Sequence, residues 1–151
     1  MSVEFDFLTP TDKPALLALT SVELQETAKT ALDQLGYKVH MAGNHGEFLH
    51  KFSQVQYHVV IIEELFSSNS PEENESLLAL QRIPMNMRRH TTAVLFGFSL
   101  ATFNPLQAFQ YGVHAVVNPS EMFLLIQLIQ KAVADNDLFL NIFRDAQRRY
   151  M

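Results

Sequence analysis

The sequence predicts a doubly wound α/β domain: a five-stranded parallel sheet between two layers of helices, with an extended C-terminal helix. Three observations carry this. Five short apolar runs, at 15–19, 37–42, 57–62, 92–96 and 113–117, alternate with longer segments of helical spacing. The stretches ALLAL, VVII and AVLF are continuous in apolar residues, which means burial on both faces and so a parallel sheet covered by helices on each side. The strand–helix order repeats five times, and right-handed crossovers place the ligand crevice at the C-terminal ends of the strands.

Each element has its own signals. After the first run, Thr20-Ser21-Val22-Glu23 offers a capping box, with Thr20 as N-cap and Glu23 at N3. Leu24, Ala28, Ala31, Leu32 and Leu35 then follow at helical spacing until Gly36 stops the helix. The run YKVHMA makes the second strand, and Phe48, Leu49 and Phe52 mark one face of a short helix within 44–54. The third strand, 57–62, meets Glu63 and Glu64. FSSNSPEEN, 66–74, is a loop, and a helix over 74–82 is disturbed by Pro84. TAVLF is the fourth strand. Asn104-Pro105 supplies an N-cap and first turn for a helix that stops before Gly112. VHAVV is the fifth strand, and Ser120 caps a helix from 121 to about 134. Helical spacing resumes over 137–150. The expected organisation is an arm at 1–13, one domain at 14–134 and a helical extension at 135–151.

Composition narrows the function. The chain has 151 residues, 48% of them hydrophobic and 18% charged, which is globular and sufficient for one core. With no cysteine there is no thiolate nucleophile, disulfide or thiolate-held metal. A net charge of −5 argues against direct nucleic-acid binding. No apolar run has the roughly 18 residues of a membrane span. The N-terminal stretch carries acids where a secretory leader carries basic residues, so a cytoplasmic location is expected.

Element order, spacing and strand ends together resemble the receiver domain of bacterial response regulators, a flavodoxin-like fold, over about residues 14–134. The resemblance implies two acids after strand 1, a phospho-accepting Asp after strand 3, Thr or Ser after strand 4, and Lys-Pro after strand 5. Here those places hold Thr20 and Ser21, Glu63, Gly97, and Asn118 with Pro119. Val116 stands where the family carries an aromatic switch residue. Aspartyl phosphorylation needs Mg²⁺ held by hard oxygen ligands, and positive charge facing the phosphoryl group. Those parts are missing together, so the expectation is a pseudo-receiver that needs no cofactor or metal and performs no catalysis. Three further readings of the strand ends stay open. Glu63 is a polar strand end bonded to nearby backbone or to Thr20 and Ser21. Or its fixed carboxylate imitates the phosphorylated state. Or Thr20, Ser21, Glu63, Gly97 and Asn118 form a compact crevice for a small neutral or cationic ligand.

Other chemistry finds little support. The histidines at 40, 45, 50, 58, 90 and 114 lack metal-ligand spacing; His45 and His50 are not one helical turn apart. No G-x-S-x-G elbow occurs, and AGNHGE lacks the spacing and lysine of a phosphate loop. Arg88-Arg89-His90 and the terminal Arg144, Arg148 and Arg149 suit solvated helix ends.

The expected mode of action is therefore contact with protein partners of a signalling system. By the family resemblance the contact face comprises helix 4, strand 5 and helix 5, with Phe103, Leu106, Phe109 and Tyr111 as the residues to watch. Beyond the domain, Phe139, Ile142, Phe143, Ala146 and Tyr150 form an apolar stripe at helical spacing. It either folds back on the sheet or pairs with a second copy. With the Val3, Phe5 and Phe7 alternation, it points to a homodimer.

Overall fold

The computed structural model describes the backbone of residues 8–84 and 90–150, and the side chains of these residues as far as Leu138, with Ala146. Five strands, β1 (Pro14–Ala18), β2 (Lys38–Met41), β3 (Val59–Glu63), β4 (Thr92–Phe96) and β5 (Ala115–Val117), form one sheet in the order β2-β1-β3-β4-β5. All four pairings are parallel. The helices are α1 (Val22–Gln34), α2 (His45–Gln54), α3 (Glu75–Arg82), α4 (Pro105–Tyr111) and α5 (Leu125–Tyr150), with short 3₁₀ turns at Pro71–Glu73 and Pro119–Leu124.

Alternation along each strand divides one apolar sequence between two cores. Leu17, Leu19, Val59, Ile61, Val94, Phe96 and Val117 pack on one face against Ala28, Leu32, Leu125, Leu128 and Ile129 of α1 and α5. Leu16, Ala18, Val60, Ile62, Leu95 and Val116 pack on the other against Phe48, Leu77, Leu80 and Ala108 of α2, α3 and α4. Both faces of β1, β3 and β4 are thus removed from water, as continuous apolar runs require.

Several boundaries differ from the sequence reading, for local reasons. Ser21, not Thr20, caps α1: its hydroxyl accepts from the Leu24 amide at 3.4 Å. Glu23 then sits one place too early to close a capping box. The third strand begins at Val59, because Tyr57 turns into the α2–α3 core instead. The fifth is only three residues long. Before it, the His114 ring nitrogen accepts from the Ala93 amide at 2.9 Å. Ser120 caps nothing. Asn118 is the cap, its Oδ1 accepting from the Ser120 amide, and Pro119 opens a 3₁₀ turn that leads into α5.

The C-terminal extension is one continuous helix with the last helix of the domain, 26 residues in all and about 39 Å long. A five-residue strand spans only about 17 Å. The core contacts of α5 come from Leu125 to Val133. Leu138, just beyond, is exposed. The stripe side chains Phe139, Ile142, Phe143 and Tyr150, the arginines 88, 89, 144, 148 and 149, and the arm residues Val3, Phe5 and Phe7 lie outside the described side chains.

Asn74, fully buried, ties the end of β3 to the start of α3. Its Nδ2 donates to the carbonyls of Glu63 (3.0 Å) and Glu64 (3.1 Å), and its Oδ1 caps the helix at the Leu77 amide. Asn74→Ala should lower stability by about 2–4 kcal/mol in urea unfolding, since a cap is lost and two carbonyls lose their donor. Asn74→Asp keeps the cap but sets a buried carboxylate oxygen against the two carbonyls, and should destabilise at least as much.

Candidate functional site

Four loops leave the C-terminal edge of the sheet and surround one crevice of about 590 Å³. Thr20, Ser21, Glu23 and Leu24 follow β1; Glu63, Glu64 and Leu65 end β3; Gly97 and Phe98 follow β4; Pro119 and Ser120 follow β5. This is where β1 and β3 diverge to opposite sides of the sheet, the switch point of a doubly wound fold. Sequence reasoning names Thr20, Ser21, Glu63 and Gly97 as neighbours, and the fold brings these four to one wall.

Asn118 is not on that wall, because its side chain is fully engaged elsewhere. Nδ2 donates to the carbonyls of Phe98 (3.2 Å) and Leu100 (3.0 Å), and Oδ1 accepts from the amide and hydroxyl of Ser120. It clamps the β4–α4 loop to the turn after β5. An amide suits this task, since it donates and accepts at once, which an ammonium does not.

The two acids at the end of β3 differ sharply. The carboxylate of Glu63, half-buried at the crevice, has no hydrogen-bond or ionic partner among the described residues; only its backbone carbonyl is bonded, to Asn74. The expected bonds from that carboxylate to nearby backbone or to Thr20 and Ser21 do not form. Ser21 is occupied as a cap, and Thr20 is exposed.

Glu64 is buried and is the residue that shapes the site. Its amide donates to the Phe96 carbonyl at 2.7 Å, continuing the β3–β4 ladder by one bond. Its side chain folds over Gly97, and both carboxylate oxygens accept from the Ser99 hydroxyl at 2.9 Å. A Cβ on residue 97 would overlap the Glu64 carboxyl and come within 2.8 Å of its Cγ. Glycine at 97 therefore serves close approach. The place of a side chain at the end of β4 is filled by an acid from β3.

The field of these acids reaches further. The Tyr111 hydroxyl titrates above its ordinary value, chiefly through burial, with the carboxylates of Glu64 and Glu72 adding to the rise. Among the described residues no lysine, arginine or histidine lines the crevice. A phosphoryl group there would meet three carboxylates and the hydroxyl residues Thr20, Ser21 and Ser120. A hard cation such as Mg²⁺ also fits poorly. It needs several free oxygen ligands converging on it, whereas Ser21 is used as a cap and Glu64 is held by Ser99. Among the described residues no three metal-ligating side chains cluster. None of the described helices is long and apolar enough to cross a membrane.

No family model and no curated protein matches this chain. Solved structures do. A response regulator from Thermotoga maritima aligns over 82% of this chain and 98% of its own, at 17% identity and a TM-score of 0.63. A CheY-like receiver domain protein from Methanospirillum hungatei aligns over 84% and 98%, at 16% identity and a TM-score of 0.63. This chain has the response-regulator receiver fold. NtrX from Brucella abortus, solved in complex with ADP, matches at 13% identity and a TM-score of 0.69. That match covers 93% of this chain, more than the residues before Asp135 can supply, and so includes part of the extended α5; it takes up 30% of the NtrX chain.

In the receiver fold, Gly97 and Glu64 make one packing unit, and no sequence signal marks it without the pairing of Glu63 with Phe96. Nor does any sequence signal mark Ser99, Leu65 or Phe98. Of the four residues proposed for contact, Leu106 and Phe109 are 78% and 87% exposed and Phe103 is 41% exposed. Tyr111 instead packs partly into the α2–α3–α4 core.

Gly97→Thr should destabilise the chain by about 1–3 kcal/mol through overlap with Glu64. Glu64→Ala in the same chain should recover much of that loss. A double-mutant cycle by urea unfolding is expected to show favourable coupling of about 0.5–3 kcal/mol. Additive effects would mean that the two residues do not compete for the same space.

Proposed function

We propose that this chain is a pseudo-receiver: a non-catalytic signalling module that works by protein–protein contact and does not depend on aspartyl phosphorylation. The observation that carries the reading is the Glu64 side chain seated over Gly97 and bound to Ser99. As packed, the Glu64 carboxyl takes the place of a side chain at the end of β4, and among the described residues no cationic group faces the acids of β3. Asn118, in the lysine position, is committed to holding two loops together. Val116, in the aromatic switch position, is buried in the core. Capture of a phosphoryl group and its readout both lack their parts.

Contact would be made through α4 and its surroundings, where Leu106 and Phe109 stand in water, and through the extended α5. Six described residues of α5, between Leu125 and Val133, serve the domain core, and the helix continues well past them. A second copy of the chain would cover that continuation and make a homodimer. The partners would be proteins of a cytoplasmic signalling system, with no direct role for nucleic acid or membrane. Glu63 as a mimic of the phosphorylated state gains no support, since mimicry works through the threonine and lysine that are replaced here.

Two experiments test this reading. Incubation with a small phosphodonor and Mg²⁺ should add no phosphoryl mass to the intact chain; a stoichiometric adduct on Glu63 or Glu64 would refute the pseudo-receiver. In solution the full chain should have the mass of a dimer, and a chain ending at residue 134 that of a folded monomer. An intact chain that stays monomeric at high concentration removes the homodimer.

A further inference from the structure

The crevice at the strand ends has properties that the signalling reading leaves unused. Its volume, about 590 Å³, lies in the range of small-molecule sites, which are mostly apolar with a few polar groups. Leu24, Leu65, Phe98 and Pro119 supply apolar wall. Phe98 is 76% exposed and Leu65 45% exposed, so the mouth holds a large apolar surface in contact with water. Such surface favours an occupant that covers it.

Charge restricts what that occupant is. Glu23, Glu63 and Glu64 line the crevice, and among the described residues no basic side chain does. Phosphate, nucleotides and carboxylates are therefore repelled. Glu64 is satisfied by Ser99. Glu23 and Glu63 have no partner for their carboxylates among the described residues; Glu23 is exposed, whereas Glu63 is half-buried and lines the crevice. A cation placed there gains a charge-assisted hydrogen bond and displaces no existing one. The Phe98 ring offers a further attraction to positive charge.

We propose that the strand-end crevice binds a small organic monocation with an apolar body. Its ammonium or guanidinium group meets Glu63, and its hydrocarbon lies against Leu24, Leu65 and Phe98. This class is distinct from both a metal ion and a phosphoryl group. It does not rest on the homodimer or on partner contact, since a chain that failed to dimerise would still present this crevice.

The test uses the full isotope-labelled chain and two probes of equal body and opposite charge, phenylbutylamine and phenylbutanoate. The amine should shift the amide resonances of Leu65, Gly97 and Phe98 saturably, with a Kd of about 1 mM or tighter, and raise the melting temperature. The carboxylate should do neither. Glu63→Gln should weaken amine binding by roughly fivefold, the worth of one partly exposed charge pair, while leaving resonances outside the crevice in place. Ser99→Ala, which alters the neighbouring acid, should change affinity less than Glu63→Gln. Equal binding of both probes, amine binding elsewhere on the surface, or unchanged affinity in Glu63→Gln would overturn the proposal. So would a peptide carrying lysine between leucines that saturates the crevice when the amine does not, since the occupant is then a protein segment.

Discussion

The architecture depends on one constraint: the central strands must be hidden from water on both faces. In β1, β3 and β4 successive residues belong to different cores, as Leu16 and Leu17 do, or Ile61 and Ile62. Helices must therefore lie on both sides, and every connection must cross over the sheet. The loops that begin those crossovers all leave from one edge. Polar residues excluded from the strands gather there, and so the crevice is a consequence of how the sheet is buried.

Within the crevice, a second packing relation decides which chemistry remains. Neighbouring parallel strands end side by side, so a side chain from one can fill space beside the other. Glu64 does this above Gly97. Burying a carboxylate is costly unless its oxygens are bonded, and the Ser99 hydroxyl supplies that bond. The outcome is a site with the receiver arrangement of strands but a different content. Glu64 is committed to packing and Asn118 to a loop clamp, while the half-buried Glu63 carboxylate has no partner among the described residues.

The same economy appears in α5. Its first turns bury Leu125, Leu128, Ile129 and Ala132 against the sheet, after which the helix runs on without a break. A helix of this length has little intrinsic reason to persist in water unless an apolar face is covered. Continuity with the folded domain sets the direction in which the extension leaves the core.

The sequence by itself determined the α/β class, the five strands, most helix positions and four residues that share the crevice. Apolar continuity, helical spacing and cap residues such as Asn104 are local signals of strong physical effects. Residue identity alone also placed Thr20, Ser21, Glu63, Gly97 and Asn118 at the strand ends. Tertiary structure alone decided which serine caps α1, that Asn118 rather than Ser120 opens the last helix, and that the extension joins it without a break. Competing caps differ by fractions of a kcal/mol, so the packed loops choose between them. Only tertiary structure could show that Glu64 is the buried acid and Glu63 the free one. Adjacent identical side chains are alike to any sequence rule, and they become different when the strand's alternation turns one toward Gly97 and the other toward the open crevice.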